Sequence, residues 1–116
     1  MELSREIIDV LKNYDFSILD IGSNGEYYAE LECFTPLGED WLLTIWFDGT
    51  DSGFIESISE SYDNFDVDEE ASFLIENRGK NGVPSSVKAL LEDAEWKKKT
   101  LEDLANDLMT LELFGE

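Results

Sequence analysis

The side chains of this chain that could do chemistry are carboxylates, and little stands beside them. The chain has no histidine, so the commonest general base and metal ligand is missing. Neither a Ser-His-Asp nor a Cys-His arrangement can be assembled. Cys33, the single cysteine, falls among inward-pointing strand residues and reads as a small core hydrophobe. Gly22-Ser23-Asn24-Gly25 lacks the spacing and the lysine of a phosphate-cradling loop. Two acidic stretches can be tested as EF-hand loops. Counting from Asn64, Glu69 stands where the turn glycine belongs and Ile75 where the bidentate glutamate belongs; counting from Asp48, Gly53 fits position six but Ser59 takes the last ligand position. A glycosidase-type carboxylate pair needs one selected couple, and nothing selects one among 28 acids. The expectation is a protein with no catalytic residues, no metal and no cofactor.

The elements that must position the carboxylates follow from periodicity. Leu3, Ile7, Val10, Leu11 and Tyr14 recur at helical spacing, predicting a helix over 3–14. Asp15–Ile21 reads as a short strand, and Ser23-Asn24-Gly25-Glu26 as a tight turn. Tyr27–Phe34 alternates, with Ala29, Leu31 and Cys33 on one face and Glu30 and Glu32 on the other. After the turn Thr35–Asp40, Trp41–Asp48 is a third strand, so short connections make an antiparallel meander. A helix over Ser52–Tyr62 follows. Asp66 and Glu69 form a capping box for the next helix, which stops at Arg78-Gly79. Lys80–Pro84 is a loop, and Ser85 or Ser86 caps a last helix reaching about Leu113. Its stripe, Val87, Leu90, Ala94, Lys97, Leu101, Leu104, Leu108 and Leu111, places a lysine at a core-type position. The order α-β-β-β-α-α-α predicts one α+β domain over residues 1–116, with helices packed on one sheet face. The leucine stripe reads as packing on the sheet rather than as a dimer seam, so a monomer is expected. No apolar run approaches a membrane span, the N-terminal residues carry no basic and apolar leader pattern, and a lone cysteine permits no intrachain disulfide. A reducing cytoplasm is the expected setting.

Charge is the outlier. The net charge is −20 over 116 residues, where small domains usually carry a magnitude of about 2–8. Self-repulsion on that scale destabilises the compact state. A compact chain of this length has a radius of gyration of about 13 Å and so a diameter of roughly 35 Å. Duplex DNA of that length carries about 20 charges. The bases are segregated: every charged residue between Lys12 and Arg78 is an acid, and Lys97-Lys98-Lys99 lies in the last helix. The sheet and the two helices after it are therefore expected to form a one-signed surface that steers a cationic partner. Glu30 and Glu32 share a strand face about 6.6 Å apart, and Glu56 and Glu60 lie one helical turn apart. Tyr28, Phe34, Leu42 and Trp46 project on the same side as Glu30 and Glu32. Uncovered, they form an aromatic patch ringed by carboxylates, the composition of an interface; covered by a helix, they are core.

A helix, a three-stranded antiparallel sheet and further helices on a short, very acidic chain resembles the phage-encoded anti-CRISPR proteins, and more broadly the DNA-mimic anti-restriction proteins of mobile elements. Thr35-Pro36-Leu37-Gly38-Glu39-Asp40-Trp41 and Gly82-Val83-Pro84-Ser85-Ser86 have the character of such small mobile-element proteins. The resemblance rests on element order and charge rather than on a motif, and the long last helix departs from it. It implies an inhibitor of an RNA-guided DNA nuclease, which reads its PAM with paired arginines, and no direct contact with nucleic acid or membrane. The acid distribution supplies the candidate residues. Glu30, Glu32, Glu39, Asp40, Asp48, Asp51, Glu56, Glu60, Asp63, Asp66, Asp68, Glu69 and Glu70 would mimic phosphates, with Tyr28 and Trp46 as apolar contacts. The same physics serves an immunity, antitoxin or anti-restriction protein neutralising another basic nucleic-acid-binding protein.

Overall fold

The computed structural model describes residues 3–22, 27–76 and 86–114. The expected 23–26 turn, the Arg78-Gly79 helix stop, the 80–84 loop and a Ser85 cap lie outside the described residues. Among the described residues the order is α1 (Arg5–Asn13), β1 (Ser17–Gly22), β2 (Tyr27–Phe34), β3 (Asp40–Phe47), α2 (Asp51–Asn64), α3 (Val67–Glu76) and α4 (Val87–Phe114). This is the α+β order expected from the residues. No described helix is long and apolar enough to cross a membrane.

Local chemistry starts each helix. The Ser4 hydroxyl accepts from the Ile7 amide at 3.4 Å, Thr50 from Gly53 at 2.9 Å and Ser86 from Ala89 at 3.3 Å, satisfying amides that a first turn leaves bare. Asp66 Oδ1 caps α3 through the Asp68 and Glu69 amides, at 2.9 and 3.2 Å.

The sheet order is β1-β2-β3, antiparallel throughout. β2 and β3 pair without interruption from Tyr27↔Phe47 to Phe34↔Asp40. β1 is irregular, with a register shift between Ile18 and Asp20. In the β2–β3 turn Thr35 N–H donates to Glu39 O at 2.9 Å and Gly38 N–H to Thr35 O at 2.8 Å. Gly38 has φ 89° there, a left-handed conformation that costs glycine little.

All the described helices lie on one side of this sheet, and the core is what they enclose. Ala29, Leu31, Cys33, Trp41 and Ile45 from the sheet share one cluster with Ile7 and Leu11 of α1, Phe54 and Ile58 of α2, and Leu101, Leu104 and Leu108 of α4. Burial pushes the Cys33 thiol up, as suits a packing residue. α4 packs against α1, α2 and α3. Tyr14 ties α1 to it by donating to Asp107 Oδ2 at 2.5 Å, and burial together with that carboxylate raises the phenol to about 12. A helix of 28 residues is about 42 Å long, which sets the long axis of a 45 × 30 × 22 Å molecule. The radius of gyration is 14.8 Å, so the molecule is more elongated than the compact estimate.

Candidate protein-binding surface

Among the described residues nothing covers the sheet face turned away from the helices. On β2 the side chains of Tyr28, Glu30, Glu32 and Phe34 point outward, and their register partners on β3 are Trp46, Thr44, Leu42 and Asp40. On β1, Asp20 faces Glu30. Phe34 is 61% exposed, Trp46 59% and Leu42 54%, with Leu19 also exposed beside the β1 irregularity. The Tyr28 and Trp46 rings pack 5.2 Å apart. The Tyr28 ring lies over Gly22, where an added Cβ would sit 2.0 Å from its Cε1, and its hydroxyl donates to Asp20 Oδ2 at 2.8 Å.

The acids of this face stand close together. Asp20 and Glu30 are direct cross-strand neighbours, a like-charge pairing that destabilises a sheet. Glu32 and Asp40 lie on a diagonal of the face, and the nearby Asp40 carboxylate raises the Glu32 carboxyl above its usual range. None of the three strands carries a lysine or arginine. Eight residues of β2 across three strands give a face of about 14 × 26 Å. That is about 370 Å², close to half of the ~800 Å² a partner contributes to a standard interface.

The other candidate acids do not join this face. Glu56, Glu60 and Asp63 are exposed on α2, and Asp68 and Glu69 on α3, in the helical layer beneath the opposite side of the sheet. The sheet and helix acids therefore form two groups, not the single surface expected. Several also have local duties. Asp48 Oδ1 accepts from the Thr50 amide at 3.0 Å and its hydroxyl at 2.6 Å, which holds its carboxyl below the usual range. Asp51 accepts from the Ser4 amide at 3.3 Å, and Asp66 caps α3.

Glu39 is a correction. It is buried, not a surface charge, and lies 2.8 Å from Lys97 Nζ. Glu70, half-buried, holds the same ammonium. Lys97 is 1% exposed, and its charge also sits 5.7 Å from the centroid of Trp41. The neighbouring lysines are occupied too. Lys98 donates to carbonyls at the end of α2, Tyr62 O at 2.5 Å and the C-cap Phe65 O at 2.8 Å, and lies 4.3 Å from the Tyr62 ring centroid. Lys99 pairs along α4 with Glu102 and Asp103, at 3.3 and 3.0 Å. The basic run in the sequence is thus no basic patch on the surface.

Sequence reasoning placed Tyr28, Glu30, Glu32, Phe34, Leu42 and Trp46 on one face, and the structure brings them together and adds Asp40, opposite Phe34. It missed Asp20, whose place on the face depends on the β1 irregularity, and Asp93, which lies 2% exposed under the β2–β3 turn. The lysine at a core-type position signalled a buried acid but not which one. Among the described residues no group of three Cys, Asp or Glu side chains is arranged to hold a metal ion. Comparison with family models, curated proteins and solved structures finds no match to this chain.

Proposed function

We propose that this chain is a non-enzymatic inhibitor that binds a basic nucleic-acid-binding protein through the outer face of its sheet and so denies that protein its DNA. The partner class we favour is an RNA-guided DNA nuclease, met in a bacterial cytoplasm. The carrying observation is a helix-free sheet face that exposes Trp46, Leu42 and Phe34 amid Asp20, Glu30, Glu32 and Asp40, on strands without a single base. Apolar anchors within a charged rim are how interfaces concentrate affinity. Four fixed carboxylates offer arginine and lysine side chains what phosphates offer them. The face alone is half an interface, so the α2 and α3 acids act as outlying charge that speeds encounter rather than as contacts.

The test is a titration of fluorescently labelled chain with a purified, guide-loaded nuclease, at rising salt and with target duplex as competitor. Supporting results are a complex that weakens with salt, is displaced by duplex, and is lost with Trp46→Ala. A complex indifferent to both salt and duplex rejects mimicry. Binding instead to a restriction endonuclease or a toxin nuclease, with the same dependences, moves the partner within the basic-protein class and keeps the surface.

A further inference from the structure

The buried end of the β2–β3 turn holds more acid than its lysine can neutralise. Glu39 comes from the turn, Asp93 and Lys97 from α4, and Glu70 from α3. Lys97 binds Glu39 and Glu70 but does not reach Asp93. Both Asp93 oxygens are buried without a donor, a condition that buried polar groups rarely tolerate. Fully ionised, three carboxylates around one ammonium would leave two negative charges in a poorly solvated site. Glu39 Oε1 is likewise buried without a hydrogen-bond partner, and Asp93 lies close enough to raise the Glu39 carboxyl, so a proton on either carboxyl would supply the donor that joins the two.

We propose that a single proton held between Glu39 and Asp93 latches the β2–β3 turn to α4, and that its removal loosens the turn. The proton resolves both anomalies at once: it supplies the missing donor for Asp93 and reduces the buried excess to one negative charge. A route for exchange exists, since Asp93 also lines a cavity of about 270 Å³ with Pro36, Leu37, Glu92 and Trp96. The charged groups facing Glu39 are Asp93 and Lys97 from α4 and, across Lys97, Glu70 from α3. Glu92 lines the same cavity. Asp40, next along β3, is engaged with Glu32 on the other face.

Geometry and titration agree. Burial first, and the nearby Asp93 next, raise the Glu39 carboxyl to about 7 against the lowering pull of Lys97. The folded protein therefore keeps this proton at pH values where the unfolded chain has lost it. The stability it contributes is whole below about 4.5 and lost as pH rises through about 7. Above that, Glu39 and Asp93 repel, and the turn is the element free to move. Because Phe34 and Asp40 flank the turn, its release also alters one end of the exposed sheet face.

The experiment is carbon-13 carboxyl NMR on the full chain, with amide hydrogen exchange read at Thr35, Gly38 and Glu39. The Glu39 carboxyl is expected to titrate near 7, and turn exchange to rise through that range beyond what hydroxide catalysis alone gives. Asp93→Asn, whose amide can donate to a charged Glu39, should return the Glu39 midpoint toward the ordinary carboxylate range. Glu32→Gln, which removes the separate surface pair, should leave it in place. A Glu39 midpoint in the ordinary range in the unaltered chain, or turn exchange with no excess, overturns the latch. If Asp93→Asn fails to fold, the titration and exchange of the unaltered chain decide the matter alone.

Discussion

Replacing Lys97 by methionine keeps most of the buried stem and removes the charge that Glu39 and Glu70 surround. Breaking a buried pair by deleting one partner costs about 3–5 kcal/mol, because the remaining charge stays behind unpaired. Here two carboxylates lose their cation, and relief of the ammonium's own desolvation offsets part of that. A loss of about 3–4 kcal/mol is therefore expected for Lys97→Met at pH 8. Lys97→Ala also strips about three buried methylenes, adding about 2 kcal/mol at ~0.8 each. Against a total stability of about 5–15 kcal/mol, the alanine variant sits near the edge of folding. Acid should rescue both variants in part, since a protonated Glu39 no longer needs the ammonium. Lys97→Met/Glu39→Gln should recover roughly half of the single-variant loss, because the more buried of the two stranded charges is gone. Urea unfolding at pH 5 and pH 8, followed by tryptophan fluorescence, gives all these values. A Lys97→Met loss under about 1 kcal/mol at pH 8 would refute the claim that this ammonium secures the turn and α3 to α4.

Further expectations concern the exposed face and the local stops. Trp46→Ala and Leu42→Ser should change thermal stability little while weakening partner binding by about 2 kcal/mol or roughly thirtyfold each, read as melting temperature against Kd. Thr50→Ala should cost about 1 kcal/mol by removing the α2 cap, and a urea midpoint equal to the unaltered chain would show that Asp48 alone organises that turn. Asp40→Asn should bring the Glu32 carboxyl back toward its ordinary range, since Asp40 is the main cause of its rise; carboxyl NMR would report a Glu32 midpoint that stays high as a contradiction.

The fold was legible because its signals are local. Alternation in Tyr27–Phe34 fixed both the strand and which acids share its outer face, and the leucine stripe of α4 marked its buried side. Asp66 announced the start of α3 through a spacing of three to Glu69. Asp48 was legible as a break in the sheet but not as the carboxylate that holds Thr50. The buried cluster was not legible, because Glu39, Glu70, Asp93 and Lys97 come from three elements and only packing decides which acid meets the lysine. In sequence Lys97-Lys98-Lys99 is one basic run in the last helix. Three-dimensional proximity turns the same run into a core ion, a helix stop and a local pair. Asp20 escaped for a smaller reason: the β1 irregularity shifts register by a residue, and a one-residue slip moves a side chain to the other face.

The acids beside Trp46 and Leu42 bear on how the free protein behaves when concentrated. An open apolar sheet invites a second copy to lie against it, but two such faces pressed together would confront carboxylate with carboxylate and no cation between them. The repulsion works over the Debye length, about 8 Å at physiological salt and about 3 Å at 1 M. Solutions of this chain should therefore stay dispersed in dilute buffer and begin to self-associate as salt is added, the reverse of the usual advice for keeping a sticky protein apart.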